Sequence, residues 1–409
     1  MRIAYVCADP GVPVFGSKGC SIHVQEMVRA MLARGNDVEL FVARTGGEPP
    51  PDLRNCIVHE MSIPHCENTR TREVEQVLWN QRVARALDSR PKFDFIYERY
   101  ALWSANAMLW AKRKNIPSVL EVNSPLIDEQ ANHRELVQSH LASVMTRDAM
   151  RNARTTYVVS HQIVPYCRRF VSEKRSVHVI PNGVNTDRFS PGSKATDPFP
   201  GLTIGFIGSL KPWHGVDGLI EAFLRVCRST RLDLTHPERH ATCRLLIVGD
   251  GPECQAIKAR VLEHAELRDS VRLIGAVDPQ SVPGWLNSMD IAVAPYPDLD
   301  DFYFSPLKVY EYMAAGRVVL GSATGQIGEL IEHGINGWLY PAGDIDSMAQ
   351  ALIDLRQDVS LRERLGRAAR ETAEGHSWTK VLDQIFDAVT RDQFIPADDH
   401  GALRDELQV

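Results

Sequence analysis

The sequence predicts an α/β protein of two consecutive domains, each a sheet layered with helices. Three observations carry this. The chain's 409 residues exceed what one ordinary hydrophobic core organises. Short apolar runs of strand length alternate with helical stretches along the chain, the pattern of α/β layers. The alternation starts afresh after a Pro- and Gly-containing break, KATDPFPG, which puts a domain boundary near Pro198. A hydrophobic content of 44% with 24% charged residues belongs to a soluble globular protein.

Arg2 to Cys7 reads as the first strand. The loop DPGVPVFGSKG follows, with Gly11, Gly16 and Gly19, and then a helix from Ser21 to Ala33 stopped by Gly35. Strand, glycine loop, helix lets backbone approach a phosphate or sugar, but without G-x-G-x-x-G spacing the loop does not specify a dinucleotide. Asp37 to Val42 is a strand, Glu73 to Leu87 a helix and Phe95 to Glu98 a buried strand. Ala101 to Lys114 is helical, with Trp103, Trp110 and the cluster Lys112, Arg113, Lys114. Such a helix either rests on an anionic membrane or faces a core with its cations on the negative end of its dipole; three cations, fewer than a polybasic patch needs, favour the core. Ser118 to Val122 is a buried strand that runs into Asn123, Ser124 and Pro125. Ligands gather at strand ends of open α/β sheets, so Asn123 is a candidate ligand-facing polar group. Leu126 to Arg151 reads as one long helical stretch, Thr155 to Ser160 as a strand, and VIPNGVNTDRF (Val179 to Phe189) as a strand ending in an Asn182-Gly183 turn.

The second series opens with Leu202 to Ile207. GFIGSLKPWHG is again strand, glycine loop, helix, and carries Ser209, Lys211, Trp213 and His214; His214 could simply cap the next helix. LLIVGDGPE is a strand and turn with Gly249, Asp250 and Gly251, and Val271 to Ile274, Ile291 to Ala294 and Val318 to Gly321 are further buried strands. Asp298, Asp300 and Asp301 form an acidic loop without additional ligands, so a solvated loop is expected there and no metal. Trp378 to Arg391 is a helix with an i, i+3, i+4, i+7 stripe of Trp378, Val381, Leu382, Ile385, Phe386 and Val389 that must pack on something. Beyond Pro396 a loose tail is expected.

The eight cysteines are scattered without metal or redox spacing, which suits a reducing cytoplasm. MRIAYVCADPG is too short an apolar run for a signal peptide, and no run is long enough to cross a bilayer. The net charge of −6 is uneven: Met1–Ser190 carries 25 Lys+Arg against 20 Asp+Glu, and the remainder 21 against 32. A basic first half leaves room for peripheral contact with an inner membrane face, and chance drift in surface composition explains the asymmetry as well.

The most informative stretch is FYFSPLKVYEYMAAGR, Phe302 to Arg317. Pro306 fits the first turn of a helix, where its missing N–H costs nothing, and Gly316 ends it. The N–H groups of Leu307 and Lys308 have no intrahelical partner, and with the helix dipole and the Lys308 charge they make a seat for an anion after Ser305. Glu311, four residues past Leu307, shares a face with that first turn. A phosphate at the helix mouth and a hydroxyl pair on the carboxylate describe the sugar-phosphate end of a nucleotide.

SPLKVYEYMAAG resembles the nucleotide-binding segment of the family 4 (group 1) glycosyltransferases of the GT-B fold, and VIPNGVNTDRF and LLIVGDGPE are similar to segments of the same family. The resemblance covers nearly the whole chain. It implies two Rossmann-like domains facing across a central cleft: residues 1–195 on the acceptor side, 196–376 on the nucleotide-sugar side, a helix at 377–395 crossing back to the first domain, and a flexible tail at 396–409. It implies transfer of a sugar, with retention and without a metal or cofactor, from a UDP- or GDP-linked donor to an acceptor hydroxyl of a glycan, glycolipid or small molecule. In the family's Glu-x7-Glu pattern the second Glu, here Glu311, holds the ribose; the first position is Tyr303. The loop that often supplies an Arg and a Lys to the diphosphate has Ser209 and His214 there, which leaves Lys211 as the replacement cation with His214 helping. Gly16 lies in the loop that faces the cleft, and Gly249, Asp250 and Gly251 lie near the base. The family's His beside the reacting sugar has no counterpart; Glu121 and Asn123 occupy its neighbourhood, and His133 is the nearest His. A nucleotide-sugar epimerase and a non-catalytic sugar-nucleotide-binding protein stay open beside the transferase. No nucleic acid is expected as a partner.

Overall fold

The computed structural model describes residues 1–232, 243–300 and 302–392. Asp301 and the tail beyond Pro396 lie outside the described residues, as do the last three residues of the helix expected over 377–395. The chain forms two compact units, Met1–Pro181 with the residues from Val381 onward, and Asn182–Lys380.

Unit 1 is built on seven strands: β1 (Arg2–Cys7), β2 (Asp37–Val42), β3 (Ile57–Glu60), β4 (Phe95–Arg99), β5 (Ser118–Val122), β6 (Thr155–Val158) and β7 (Val177–Val179). They pair in parallel in the order β3-β2-β1-β4-β5-β6-β7. Parallel strands are covered on both faces, which is why they read as continuous apolar runs; Ile3 to Cys7 are all fully buried. The helices between them are α1 (Gly19–Ala33), α2 (Thr69–Asp88), α3 (Asn106–Lys114), α4 (Leu126–His133), α5 (Ser139–Asn152) and α6 (Val164–Arg168).

Side chains distant in sequence set two of the helix boundaries. The helix expected from Ala101 begins only at Asn106, where the Asn80 side-chain oxygen accepts the N–H groups of Ala105 and Asn106. Trp103, ahead of the helix, and Trp110 within it are both buried, and the Trp110 indole donates to Asp88. The stretch expected as one helix from Leu126 to Arg151 is two, because Glu73 of α2 accepts the N–H groups of Val137 and Gln138 and starts α5 anew.

Unit 2 has six parallel strands, β8 (Leu202–Ile207), β9 (Cys243–Val248), β10 (Val271–Gly275), β11 (Ile291–Ala294), β12 (Val318–Ser322) and β13 (Trp338–Tyr340), in the order β10-β9-β8-β11-β12-β13. Its helices are α7 (Val216–Leu232), α8 (Cys254–Glu263), α9 (Ala265–Arg268), α10 (Val282–Leu286), α11 (Leu307–Ala314), α12 (Gly325–Leu330), α13 (Ile345–Gln357) and α14 (Val359–Glu374). The unit begins at Asn182, ahead of the break near Pro198. Phe189 sits in its core, Thr196 N–H donates to the Gly284 carbonyl, and Asp197 pairs with Arg244, so these residues belong to the second sheet's surroundings. The last helix, α15 (Trp378–Arg391), changes unit part-way: from Val381 it belongs to unit 1, where the Phe386 ring meets Phe95 edge-on at 5.3 Å.

In each sheet the strand order reverses once, between β1 and β4 in unit 1 and between β8 and β11 in unit 2. Crevices outside the carboxyl ends of strands at such reversals are where open α/β sheets bind ligands.

Candidate active site

The loops after β8 and β9 in unit 2 pack backbone on backbone. Gly208 and Gly249 both have φ in the left-handed half of the map, at +150° and +143°. A Cβ on Gly249 would lie 1.8 Å from the Gly208 carbonyl oxygen, so only glycine allows this approach. Leu210 N–H then donates to Asp250 O at 3.0 Å, and Gly249, Asp250 and Gly251 lie directly against the Ser209-to-His214 loop. Lys211 places its ammonium 4.6 Å from the centre of the partly exposed Trp213 ring.

His214, expected to help Lys211, lies against its own loop. Its Nδ1 lies against the Ser209 carbonyl oxygen, which can only accept, so Nδ1 carries the proton. Burial and then the neighbouring Lys308 charge pull the imidazole down to about 4. At neutral pH it is uncharged, and its Nε2 offers an acceptor.

α11 starts with Pro306 at its N-cap and Leu307 as first residue. The Lys308 side chain turns back over β8. Its Nζ is buried and has no hydrogen-bond partner among the described residues. It lies 4.6 Å from the centre of the Phe206 ring and 5.2 Å from that of Tyr296, and a Cβ on Gly208 would come within 2.9 Å of it. Burial outweighs the attraction of Glu311 and brings this amine down to about 7. Glu311, half-buried, is one turn further along the helix on the face of the first turn. Tyr303 packs its ring on Phe304 at 4.5 Å.

Ser305 acts through its loop rather than as an open hydroxyl. Its Oγ donates to Gln326 Oε1 and accepts from Asn182 N–H, while the Asn182 amide donates to the Ser305 carbonyl at 2.9 Å. Sequence reasoning read Asn182 as turn chemistry and missed this clamp. It also missed Phe206 and Tyr296, which only the fold brings to Lys308.

The remaining candidates, Gly16 and Asn123, are in unit 1. Gly16 takes a hydrogen bond on its carbonyl from Gln25 and closes on Ser21. The Asn123 amide donates to Glu121 Oε1 at 3.1 Å. A carboxylate only accepts, so the nitrogen of Asn123 must face it, and Oδ1, buried without a partner among the described residues, points the other way. Glu121 is itself fully buried, 2.8 Å from His23 Nε2 and 3.9 Å from Arg99. Burial pushes its carboxyl up, but His23, Arg99 and the Tyr157 hydroxyl hold it down at about 2. The sequence signal for this network was a Glu inside the apolar run SVLEV.

Comparison with known proteins decides the family. Residues 17–188 match the family described as Glycosyltransferase Family 4, and residues 201–358 match Glycosyl transferases group 1. The phosphatidyl-myo-inositol mannosyltransferase of Mycobacterium leprae is 32% identical over 94% of this chain and 96% of its own length. The chain belongs to the family 4 (group 1) glycosyltransferases. The D-inositol 3-phosphate glycosyltransferase of Stackebrandtia nassauensis is a further relative of this glycosyltransferase, 26% identical over 90% of this chain and 86% of its own. Sucrose-phosphate synthase from Thermosynechococcus elongatus superposes with a TM-score of 0.71 at 20% identity, covering 94% of this chain and 97% of that one. Anabaena HepE in complex with UDP-glucose gives 0.66 at 15% identity, covering 95% and 99%. These likenesses give the glycosyltransferase its fold, GT-B.

Proposed function

We propose that this glycosyltransferase moves a sugar from a UDP- or GDP-linked donor to an acceptor hydroxyl, with retention of anomeric configuration and without a metal. The observation that carries the reading is the Lys308 amine, buried and lacking a partner among the described residues, at the mouth of α11 where β8 and β11 part. A diphosphate there would meet that amine, the first-turn N–H groups of Leu307 and Lys308, and the backbone of Gly208. Lys211 would serve as an outer cation as the leaving diphosphate gains charge, and Glu311 would hold the ribose. Among the described residues no group of three or more His, Cys, Asp or Glu is placed to hold a metal, and Asp298 and Asp300 are exposed. In unit 1, Asn123 Oδ1 would accept from a sugar or acceptor hydroxyl. Both curated relatives are named for inositol-based acceptors, which supports a polyol acceptor for this chain.

The test is release of nucleoside diphosphate from a panel of nucleotide sugars, with and without inositol phosphates and phosphatidylinositol, in excess chelator. Turnover that persists in chelator, with an α-linked product from an α-linked donor, is expected. Loss of turnover restored by Mg²⁺ or Mn²⁺ would overturn the metal-free mechanism. Nucleotide binding with no transfer to any acceptor would favour a binding protein.

A further inference from the structure

We infer that filling the anion seat of unit 2 with the diphosphate of a nucleotide sugar draws a proton from solvent onto the Lys308 amine. This rests on the donor reading above. An ammonium has three donors to satisfy and is strongly hydrated in water. Here Nζ has neither a protein acceptor among the described residues nor exposure to solvent. Its near neighbours are two aromatic ring faces and the bare backbone of Gly208. Ring faces attract a cation but accept no hydrogen bond of the strength that water offers an ammonium, so they do not replace its lost hydration.

The charged and titratable groups around the amine do not hold it charged. On its own helix Glu311 favours the ammonium, but less than burial opposes it. On the loop after β8 the neutral His214 and the Lys211 cation bring no negative charge. After β11, Tyr296 is buried with its hydroxyl pushed up, so it stays un-ionised. The seat is therefore poised to exchange a proton near neutrality, in keeping with an amine brought down to about 7.

A diphosphate alters this balance by supplying charged oxygens to an amine that has no acceptor among the described residues. The amine then becomes the ammonium, taking one proton from the buffer, and no other bond changes. With Ser209 and the neutral His214 on the loop after β8, this chain would draw its inner phosphate charge from a group that titrates.

The experiment is calorimetric titration of the full chain with UDP-glucose and GDP-mannose in buffers of different ionisation enthalpy, between pH 6 and pH 8.5. The diphosphate diester of a nucleotide sugar does not titrate in that range, so exchanged protons belong to the protein. Uptake of about one proton per nucleotide is expected at pH 8, falling towards zero at pH 6. Lys308→Arg, always charged, should bind without uptake at any pH, and Lys308→Met should bind at least tenfold more weakly. His214→Asn should keep the wild-type uptake, which separates the two groups. Binding by wild type without uptake at pH 8, or uptake abolished by His214→Asn and kept by Lys308→Arg, overturns this inference and leaves the donor reading standing. A folded wild type that binds none of a wider panel of nucleotide sugars overturns the donor reading itself.

Discussion

Glu311 and Lys308 sit one turn apart on α11. If Glu311 accepts hydrogen bonds from both ribose hydroxyls, Glu311→Gln should weaken the nucleotide ten- to hundredfold, since bonds to charged groups are worth about 1.5–3 kcal/mol. The 2′,3′-dideoxy nucleotide offers no hydroxyls and should lose far less, whereas a bracing role would affect both alike; titrating both nucleotides into both proteins decides this. Lys308 instead costs the empty protein stability. The folded chain holds its amine at about 7, while an unfolded lysine titrates near 10.5, so the unfolded state binds more protons between those values and stability rises with pH across that window. Lys308→Met should therefore raise the melting temperature of the empty protein by a few degrees and flatten its rise between pH 7 and 10, while weakening nucleotide binding. A lowered melting temperature would show that the amine is better accommodated than its surroundings indicate. The helix mouth and Glu311 were legible from local spacing. The burial of Lys308 was not, because Phe206 reaches it from β8 and Tyr296 from the loop after β11.

The position of α11 depends on a clamp that spans three segments of unit 2. Ser305 Oγ links Asn182 and Gln326, and the Tyr310 hydroxyl adds a bond to Gln326 at 3.3 Å. Gln326→Leu removes the acceptor shared by the Ser305 and Tyr310 O–H donors, at about 1–3 kcal/mol each. Amide exchange should quicken in the first turn of α11, and nucleotide affinity should fall with it; unchanged exchange there would show that the clamp does not set the helix mouth. Element legibility divides along the same line. Strands such as Arg2–Cys7 and Leu202–Ile207 were read with correct limits because burial on both faces writes an apolar run into the sequence. Two of the misread boundaries, at Asn106 and Ser139, are set by Asn80 and Glu73, side chains far away in sequence that local patterning cannot register. The short strands Ile57–Glu60 and Trp338–Tyr340 lie at sheet edges and carry too few apolar residues to stand out.

At the scale of the whole molecule, the final helix lets the chain's end complete its beginning. Val381, Leu382, Ile385 and Val389 are buried in the part of α15 that belongs to unit 1, and Phe386 covers Phe95 of β4. Just past the helix, the Asp392 carboxylate accepts from the Thr155 hydroxyl and lies 2.9 Å from His178 Nε2, and its backbone carbonyl accepts from Arg154. From Val381 on, the apolar stripe read from the sequence is thus buried within unit 1. Burying a side chain of this size contributes about 1.5–3 kcal/mol, so losing five would cost roughly as much as the whole stability of a domain. A chain ending at Lys380 should therefore contain a folded unit 2 and an unfolded or molten unit 1. Hydrogen exchange would show it: amides of β1 and β4 should lose protection while those of β8, β11 and β12 keep it. A nucleotide should still protect α11 in the truncated chain, because every residue assigned to the donor seat except Gly16 lies between Asn182 and Lys380. Equal loss of protection in both units would mean that they fold as one cooperative body. Loss confined to unit 1 with nucleotide protection retained would separate donor binding, which unit 2 would perform alone, from transfer, which would also require Asn123 and the Glu121 network.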